Sequence, residues 1–220
     1  MMTMLRRLCL LLTAVLTACA GGSPPPDWQL NAQGAIERAQ DAYLSGSGAI
    51  EAVEFTRARS EVARTGRADL LARAELVRCA TRVASLVLEP CQAYDALAQD
   101  AAPAEQAYAS YLAGQVTAAQ VPLLPAQHQR LALPGANGAA VAALDDPLSR
   151  LVAAGVLMRR GEADPLTIAT AIDAASSQGW RRPLLAWLTV QAQRAEQADD
   201  REALARIRRR ILLVGGEAPR

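Results

Sequence analysis

Few side chains in this chain of 220 residues could carry acid–base or nucleophilic chemistry. His128 is the single histidine, and all 23 basic residues are arginines, so the chain has no lysine. Without lysine it cannot form a Walker-type phosphate loop, a Schiff base or a Ser-Lys dyad. His128 lies between two glutamines in a proline-rich stretch, and no serine stands in a nucleophile-elbow setting. We therefore expect His128 to be a solvated or capping side chain.

Carboxylates are the remaining candidates for catalysis. Cleavage of a glycan needs two carboxyl groups within about 10 Å of each other. Four acids of the N-terminal half could converge in this way: Glu54, Glu61, Glu75 and Asp95. Their spacing singles out none of them, since acids on amphipathic helices usually form a solvated face. The sequence favours a protein that is not an enzyme and binds no cofactor or metal.

Cys19 follows a segment with the features of an export signal. Arg6 and Arg7 precede an apolar run from Leu8 to Leu16, and the Gly-Gly-Ser-Pro-Pro-Pro segment 21–26 comes soon after it. The run is much shorter than the roughly 20 residues of a membrane-spanning helix. We therefore interpret residues 1–18 as a secretory signal peptide.

The residues Leu16-Thr17-Ala18-Cys19 resemble the lipobox of bacterial lipoproteins. This resemblance implies cleavage before Cys19 and acylation of its sulfur and amine, which would anchor the protein without a transmembrane segment. In the sorting pattern of such lipoproteins, Ala20 implies the outer membrane, facing the periplasm. Residues 19–30, with their Gly, Ser and Pro residues, would form a tether.

The charge balance argues against nucleic acid as a partner. Removal of residues 1–18 takes Arg6 and Arg7 from the 23 basic residues, which leaves 21 against 22 acidic residues. A nearly neutral chain lacks the basic surface that binds a phosphate backbone.

An exported location also bears on the cysteines. Once the signal peptide and the lipidated cysteine are set aside, Cys79 and Cys91 form an even pair in an oxidising compartment. We expect a disulfide between them rather than free thiols or a metal site. Bridged Cα atoms must lie within about 7 Å, so the helix that carries Cys79 has to end near Ala84, with a turn centred near Ser85.

Every persistent period in the chain is helical, and we predict one all-α domain over residues 31–215 without strands. Its first part, 31–113, would contain five helices: from an Asn31 cap to about Gly46, from Ala49 to Gly66, from Asp69 to about Ala84, from Pro90 to Gln99, and from Pro103 to Ala113. The second of these would bury a stripe of four residues: Ile50, Val53, Phe55 and Val62.

The middle of the domain, residues 115–146, is interrupted by Pro122, Pro125 and Pro134 and by a turn cluster at 135–138. Short helices over 117–124 and 126–133 fit between these breaks.

Residues 147–215 have clearer helix signals. Asp146-Pro147 and Asp164-Pro165 each place a capping acid before a proline at the first helical position. We predict four helices here: 147–160, 165–178, about 182–197, and a last one capped by Asp199-Asp200.

The final helix pair, residues 186–215, resembles a tetratricopeptide repeat (TPR). Four residues have the spacing of that family's tryptophan, leucine, alanine and phenylalanine: Trp187, Val190, Ala203 and Ile207. Three others replace its glycine, tyrosine and proline: Gln191, Arg194 and Gly215. The resemblance implies antiparallel helical hairpins, arranged as a TPR-like α-solenoid or an irregular bundle.

The leading functional hypothesis is a helical scaffold that binds an envelope protein or peptide, and resemblance to TPR lipoproteins implies a concave contact surface. Seven residues are candidates for that contact: Tyr108, Tyr111, Arg181, Arg182, Arg194, Arg206 and Arg210. Other roles stay open, because tyrosines can belong to the core with a hydrated hydroxyl and Arg206 can pair with Glu202. We expect Trp180 and Trp187 to be packing anchors.

Two further hypotheses remain open. The protein could be a structural envelope lipoprotein without a ligand groove, or an enzyme or accessory factor that acts on peptidoglycan.

Overall fold

The structure is a computed structural model that describes residues 24–216, and this part of the chain is helical with no strand. The prediction of an all-α fold is confirmed. The α-helices are α1 Asp27–Leu44, α2 Gly48–Ala63, α3 Ala68–Ala84, α4 Gln92–Asp95, α5 Pro103–Leu112, α6 Ala126–Gln129, α7 Gly138–Ala142, α8 Pro147–Arg159, α9 Pro165–Gln178, α10 Arg181–Gln197 and α11 Arg201–Gly215. Short 3-10 turns occupy Ala98–Asp100, Val121–Leu123 and Arg130–Ala132.

The helices of the C-terminal part begin where their caps predict. Asp146 accepts a hydrogen bond from the Ser149 amide at 2.6 Å, and Asp200 accepts one from the Ala203 amide at 2.9 Å. Gly179 ends α9 with φ 68°, a left-handed conformation that glycine adopts without strain.

Two boundaries in the N-terminal half differ from the prediction. Helix α1 begins at Asp27, so residues 27–30 of the predicted tether are helical. The Pro26 carbonyl accepts the first helical hydrogen bonds there, and Asn31 lies inside the helix. The helix predicted over 90–99 is one short turn, α4, followed by the Ala98–Asp100 turn.

The buried face of α2 also differs from the predicted stripe. Phe55 and Val62 are buried, but Ile50 and Val53 are 56% and 62% exposed. Glu51 is buried instead, because Arg78 of α3 binds its carboxylate with Nε to Oε1 at 2.6 Å. The buried face of α2 therefore combines apolar side chains with one carboxylate that is paired across the helix interface.

Helix α3 ends at Ala84, as the predicted disulfide requires. The Cα atoms of Cys79 and Cys91 are 5.8 Å apart, and the two residues form a disulfide. The chain reverses through Ser85 and Leu86, and Leu86 has φ 59°.

Contacts between remote parts of the chain close the bundle. Helix α3 packs against α8, and α10 contacts α1. Trp187 of α10 is fully buried and donates its indole N–H to the Ala84 carbonyl at 3.0 Å, which confirms it as a packing anchor. This arrangement is expected of an irregular bundle, since each repeat of a solenoid contacts only its neighbours.

Candidate functional site

The two candidate tyrosines of α5 differ in their exposure to solvent. Tyr111 has no exposed surface, so its side chain cannot contact another protein in this conformation. Tyr108 is partly buried and lines an open cleft. Their rings are stacked with centroids 6.0 Å apart. Of the two, Tyr108 alone is placed to contact a ligand.

His128 packs against both tyrosines, and the prediction of a solvated or capping side chain is wrong. The residue is 3% exposed, its ring centroid is 5.0 Å from that of Tyr111, and its Nδ1 is 3.3 Å from the Tyr111 hydroxyl. Burial lowers the pKa of His128 to about 4, against an opposing effect of the Asp146 charge. Burial also raises the pKa of both tyrosines. The three rings therefore form an uncharged cluster between α5 and α6 near neutral pH.

The predicted arginines divide into two groups. Arg182 donates from Nε to the Tyr43 carbonyl at 2.8 Å, and Arg194 donates to the Ala163 carbonyl at 2.6 Å. These two side chains connect separate elements. Arg206 forms an ion pair with Glu202, one of the roles left open, while Arg181 and Arg210 are exposed.

Sequence reasoning missed an ionic cluster that joins four helices. The buried Glu51 of α2 binds Arg78 and Arg82 of α3. The guanidinium groups of Arg82 and Arg182 lie over the Tyr43 ring, at 5.0 and 4.4 Å from its centroid. Such contacts add stability when the cation is partly desolvated. No signal in the sequence could have shown this, because the partners are remote from one another along the chain.

Two open depressions of the surface lie along α3. On one side, α1 and α3 enclose a groove of about 820 Å³, here called the α1 groove, whose apolar lining includes Trp28, Ile36 and Leu70. On the other side, α3, α5 and the 121–125 turn enclose a cleft of about 460 Å³, here called the α5 cleft. Arg73 and Val77 line both, so the two depressions lie side by side along α3.

The α5 cleft combines apolar walls with one unusual carboxylate. Its walls include Leu76, Val77 and Tyr108, and Leu123 at its edge is 44% exposed. Glu105, at the start of α5, lines the cleft and is 7% exposed.

Arg73 binds only one oxygen of that carboxylate. Its Nε and a terminal nitrogen both reach Oε1, at 2.7 and 2.6 Å. The other oxygen, Oε2, is buried and accepts no hydrogen bond from residues 24–216. A buried acceptor without a donor is costly to the fold, and because Oε2 has almost no accessible surface it is not open to a ligand in the cleft.

A membrane-spanning helix and a metal-binding cluster are two further features that were sought among the described residues. Between residues 24 and 216, no helix has both the length and the apolar character needed to cross a bilayer. The same residues contain no group of three or more His, Cys, Asp or Glu side chains able to hold a metal ion. Cys19 lies outside the described residues.

Comparison with known proteins gives no relationship: no protein-family profile, curated protein or solved structure matches this chain.

Proposed function

We propose that this protein is a lipoprotein of the cell envelope, anchored through Cys19 in the outer membrane, whose periplasmic helical domain binds a polypeptide segment along α3. The observation that carries the proposal is the pair of adjacent depressions along α3, the α1 groove and the α5 cleft, which share Arg73 and Val77. Two neighbouring depressions on one helix, lined by both apolar and polar side chains, suit a peptide better than a small polar molecule.

The position of the α1 groove agrees with a tethered receptor. Trp28 and Gln29 line the groove and lie at the start of α1, directly after the proline run 24–26. In the proposed anchored protein, this part of the groove lies closest along the chain to the lipid. The α1 groove would therefore be presented to proteins at the inner surface of the membrane.

The carboxylates favour a scaffold over a glycan-cleaving enzyme. Three of the four acids that could have formed a catalytic pair bind arginines: Glu54 binds Arg38 at 2.9 Å, Glu61 binds Arg64 at 2.9 Å, and Glu75 pairs with Arg59. Each of these three carboxylates is already bound to an arginine, so they do not form a pair of free carboxyl groups across a substrate site.

Site-specific photo-crosslinking in intact cells tests the proposal. A photoreactive residue at Val77, which lines both the α1 groove and the α5 cleft, is expected to give a discrete adduct with an envelope protein. The same residue at Leu166, an exposed leucine of α9 outside both depressions, is the matched control. Identical adduct patterns at both positions, or no adduct at Val77, would contradict binding along α3.

Lipid attachment has a separate test. Labelled palmitate is expected to enter the wild-type protein, which should fractionate with the outer membrane, and not the Cys19→Ser variant. An unlabelled wild-type protein would refute the anchor and leave the binding surface unaffected.

A further inference from the structure

We infer that the exposed face of α11 is a docking surface for an anionic phospholipid bilayer. This surface, here called the α11 patch, consists of Arg206, Arg209, Arg210 and Leu213, all of which are exposed. The inference goes beyond the proposed peptide binding along α3 and shares with that proposal only the lipid anchor at Cys19.

Helix α11 presents two unlike faces. Its inner face packs against the rest of the bundle, where Ile207 is buried and Ile211 is partly buried. The outer face carries the α11 patch, and Leu213 is 68% exposed there. Arg209 and Arg210 lie four and three residues before Leu213, so these side chains are neighbours on the helix surface. An apolar side chain flanked by cations is therefore open to solvent.

Charge is separated along the hairpin that α10 and α11 form. The chain reverses at residues 198–200, and the acids of the hairpin lie at or near this turn: Glu196, Asp199, Asp200 and Glu202. In contrast, residues 203–216 contain four arginines and residues 181–195 contain three, and neither segment contains an acid. Residues 217–220, which follow α11, add one acid and one arginine. The end of the hairpin remote from its turn is therefore basic.

Arg209 and Arg210 are the cations of the α11 patch that remain available to a ligand. Both are exposed, and neither forms an ion pair with an acid of residues 24–216, whereas Arg206 pairs with Glu202. A guanidinium group binds phosphate oxygens through several N–H donors. These two side chains can therefore bind the phosphates of lipid headgroups without breaking a contact within the described part of the protein.

The exposed leucine favours a bilayer over an acidic protein as the occupant. A bilayer presents its headgroup phosphates directly above hydrocarbon, so arginines can bind the phosphates while Leu213 enters the interfacial layer. Acidic side chains of a protein would satisfy the arginines alone and leave the leucine in water. A second copy of this chain would bring its own arginines against the patch, and like charges repel.

The proposed anchor lies within reach of the α11 patch. Arg182, at the start of α10, donates to the Tyr43 carbonyl, so the basic end of the hairpin lies beside the C-terminal end of α1. Helix α1 has 18 residues and is about 27 Å long. Residues 19–26 span at most about 29 Å when fully extended. With α1 parallel to the membrane, the lipid and the patch can therefore contact the same surface, and tethering raises the effective concentration of the patch there.

Quenching of tryptophan fluorescence by brominated lipid tests the inference on the full-length lipoprotein in vesicles. Leu213→Trp places a fluorophore in the α11 patch, and the wild type measures the background from its own three tryptophans. Leu166→Trp, at an exposed leucine of α9, is the matched control. The vesicles contain brominated phosphatidylcholine, either alone or mixed with the anionic lipid phosphatidylglycerol.

The tryptophan introduced at position 213 is expected to be quenched in the anionic vesicles and not in phosphatidylcholine alone. High salt should reverse this quenching, because it screens exposed charges. The tryptophan introduced at position 166 should be quenched in neither. No quenching at position 213, or equal quenching with and without phosphatidylglycerol, would overturn the inference. Binding of polyglutamate without such quenching would also overturn it and would assign the patch to an acidic polypeptide.

Charge reversals on the same helix separate the α11 patch from a general effect of charge. In the Leu213→Trp protein, Arg209→Glu should lower the ratio of docked to undocked domain at least about fivefold, the effect of losing one cation near an anionic bilayer. Arg201→Glu, at the turn end of α11, should leave this ratio near its original value. Both arginines are exposed, so neither change is expected to unfold the protein. Equal effects of the two reversals would contradict the assigned patch.

The two proposals can fail separately. If the protein proves to carry no lipid, the same quenching is measured after the chain is added to preformed vesicles. Quenching that depends on phosphatidylglycerol would then retain the α11 patch and remove the anchor. A crosslinked partner at Val77 without quenching at position 213 would retain the proposed function and remove this inference.

Discussion

His128 shows why the environment of a single residue is difficult to read from its neighbours in sequence. Its flanking glutamines and nearby prolines suggested exposure, yet the ring is buried against Tyr108 and Tyr111. These tyrosines belong to another helix, α5, so no pattern among the residues next to His128 indicates that its ring is buried.

Acid is expected to destabilise the protein through His128. Its pKa is lowered to about 4 in the folded protein, whereas an unfolded chain titrates near 6.5. Between these values the unfolded state binds more protons, so the free energy of unfolding falls as the pH falls. The neutral ring contributes its full share of the free energy of unfolding above pH 6.5. This share decreases progressively between pH 6.5 and pH 4, by about 3 kcal/mol in total. Urea unfolding at pH 7, 6 and 5 measures this slope.

His128→Gln is the control, and its stability should be flat between about pH 6.5 and 5, because the chain has no other histidine. An NMR titration of His128 with an ordinary pKa near 6.5 would contradict the expected burial effect.

The Cys79–Cys91 disulfide makes the second prediction at the residue scale. Reduction is expected to lower the free energy of unfolding by about 3 kcal/mol, because the crosslink restricts the unfolded chain. Urea unfolding with and without reductant measures the loss. The double variant Cys79→Ser/Cys91→Ser should resemble the reduced wild type and should not respond to reductant. An unchanged wild-type midpoint on reduction would show that the bridge contributes nothing.

At the element scale, α3 connects the site to the core. One part of its surface lines the α1 groove and the α5 cleft, and another packs against α8. The crossing with α8 is close: a Cβ atom at Gly155 would lie 2.3 Å from the Val83 carbonyl oxygen. Glycine is therefore required by packing at this point, although it lowers helix propensity.

Gly155→Ala is expected to destabilise the protein by about 1–3 kcal/mol, since α8 must move away from α3 to accept the methyl group. Gly34→Ala is the matched control inside α1. Its Cβ would meet only the flexible end of Arg38, at 3.2 Å, so the gain in helix propensity of up to about 1 kcal/mol should dominate. Thermal or urea unfolding of both variants should show a lower free energy of unfolding for Gly155→Ala and a higher one for Gly34→Ala. Equal effects of the two substitutions would contradict the close crossing.

At the scale of the whole molecule, the contacts of α3 with α8 and of α10 with α1 join the two ends of the domain. Trp187 and Arg182 of α10 donate to carbonyls at the C-terminal ends of α3 and α1. The N-terminal and C-terminal halves of a structure closed in this way should unfold together. An open array of repeats, in contrast, can unfold from one end.

Native-state hydrogen exchange tests this cooperativity. The most protected amides of α3, α8 and α10 are expected to share one opening free energy, equal to that of global unfolding. Independent, earlier exchange of α1–α3 as a block would contradict the closed bundle.

The sequence alone determined what depends on neighbours along the chain. Helical periodicity predicted the all-α fold, and the Asp-Pro pairs predicted the starts of α8 and α9, because a cap and its amides lie within one turn. The spacing of Cys79 and Cys91 likewise predicted the end of α3 at Ala84. The lipobox remains a prediction about Cys19.

Only the tertiary structure decided which faces are buried and where an open surface remains. It turned Glu51 inward and Ile50 outward, enclosed His128, and brought Arg73, Glu105 and Leu123 to one cleft from three separate elements. Burial and hydrogen-bond satisfaction depend on all the groups that surround an atom in space. A pattern with a period of a few residues does not contain that information.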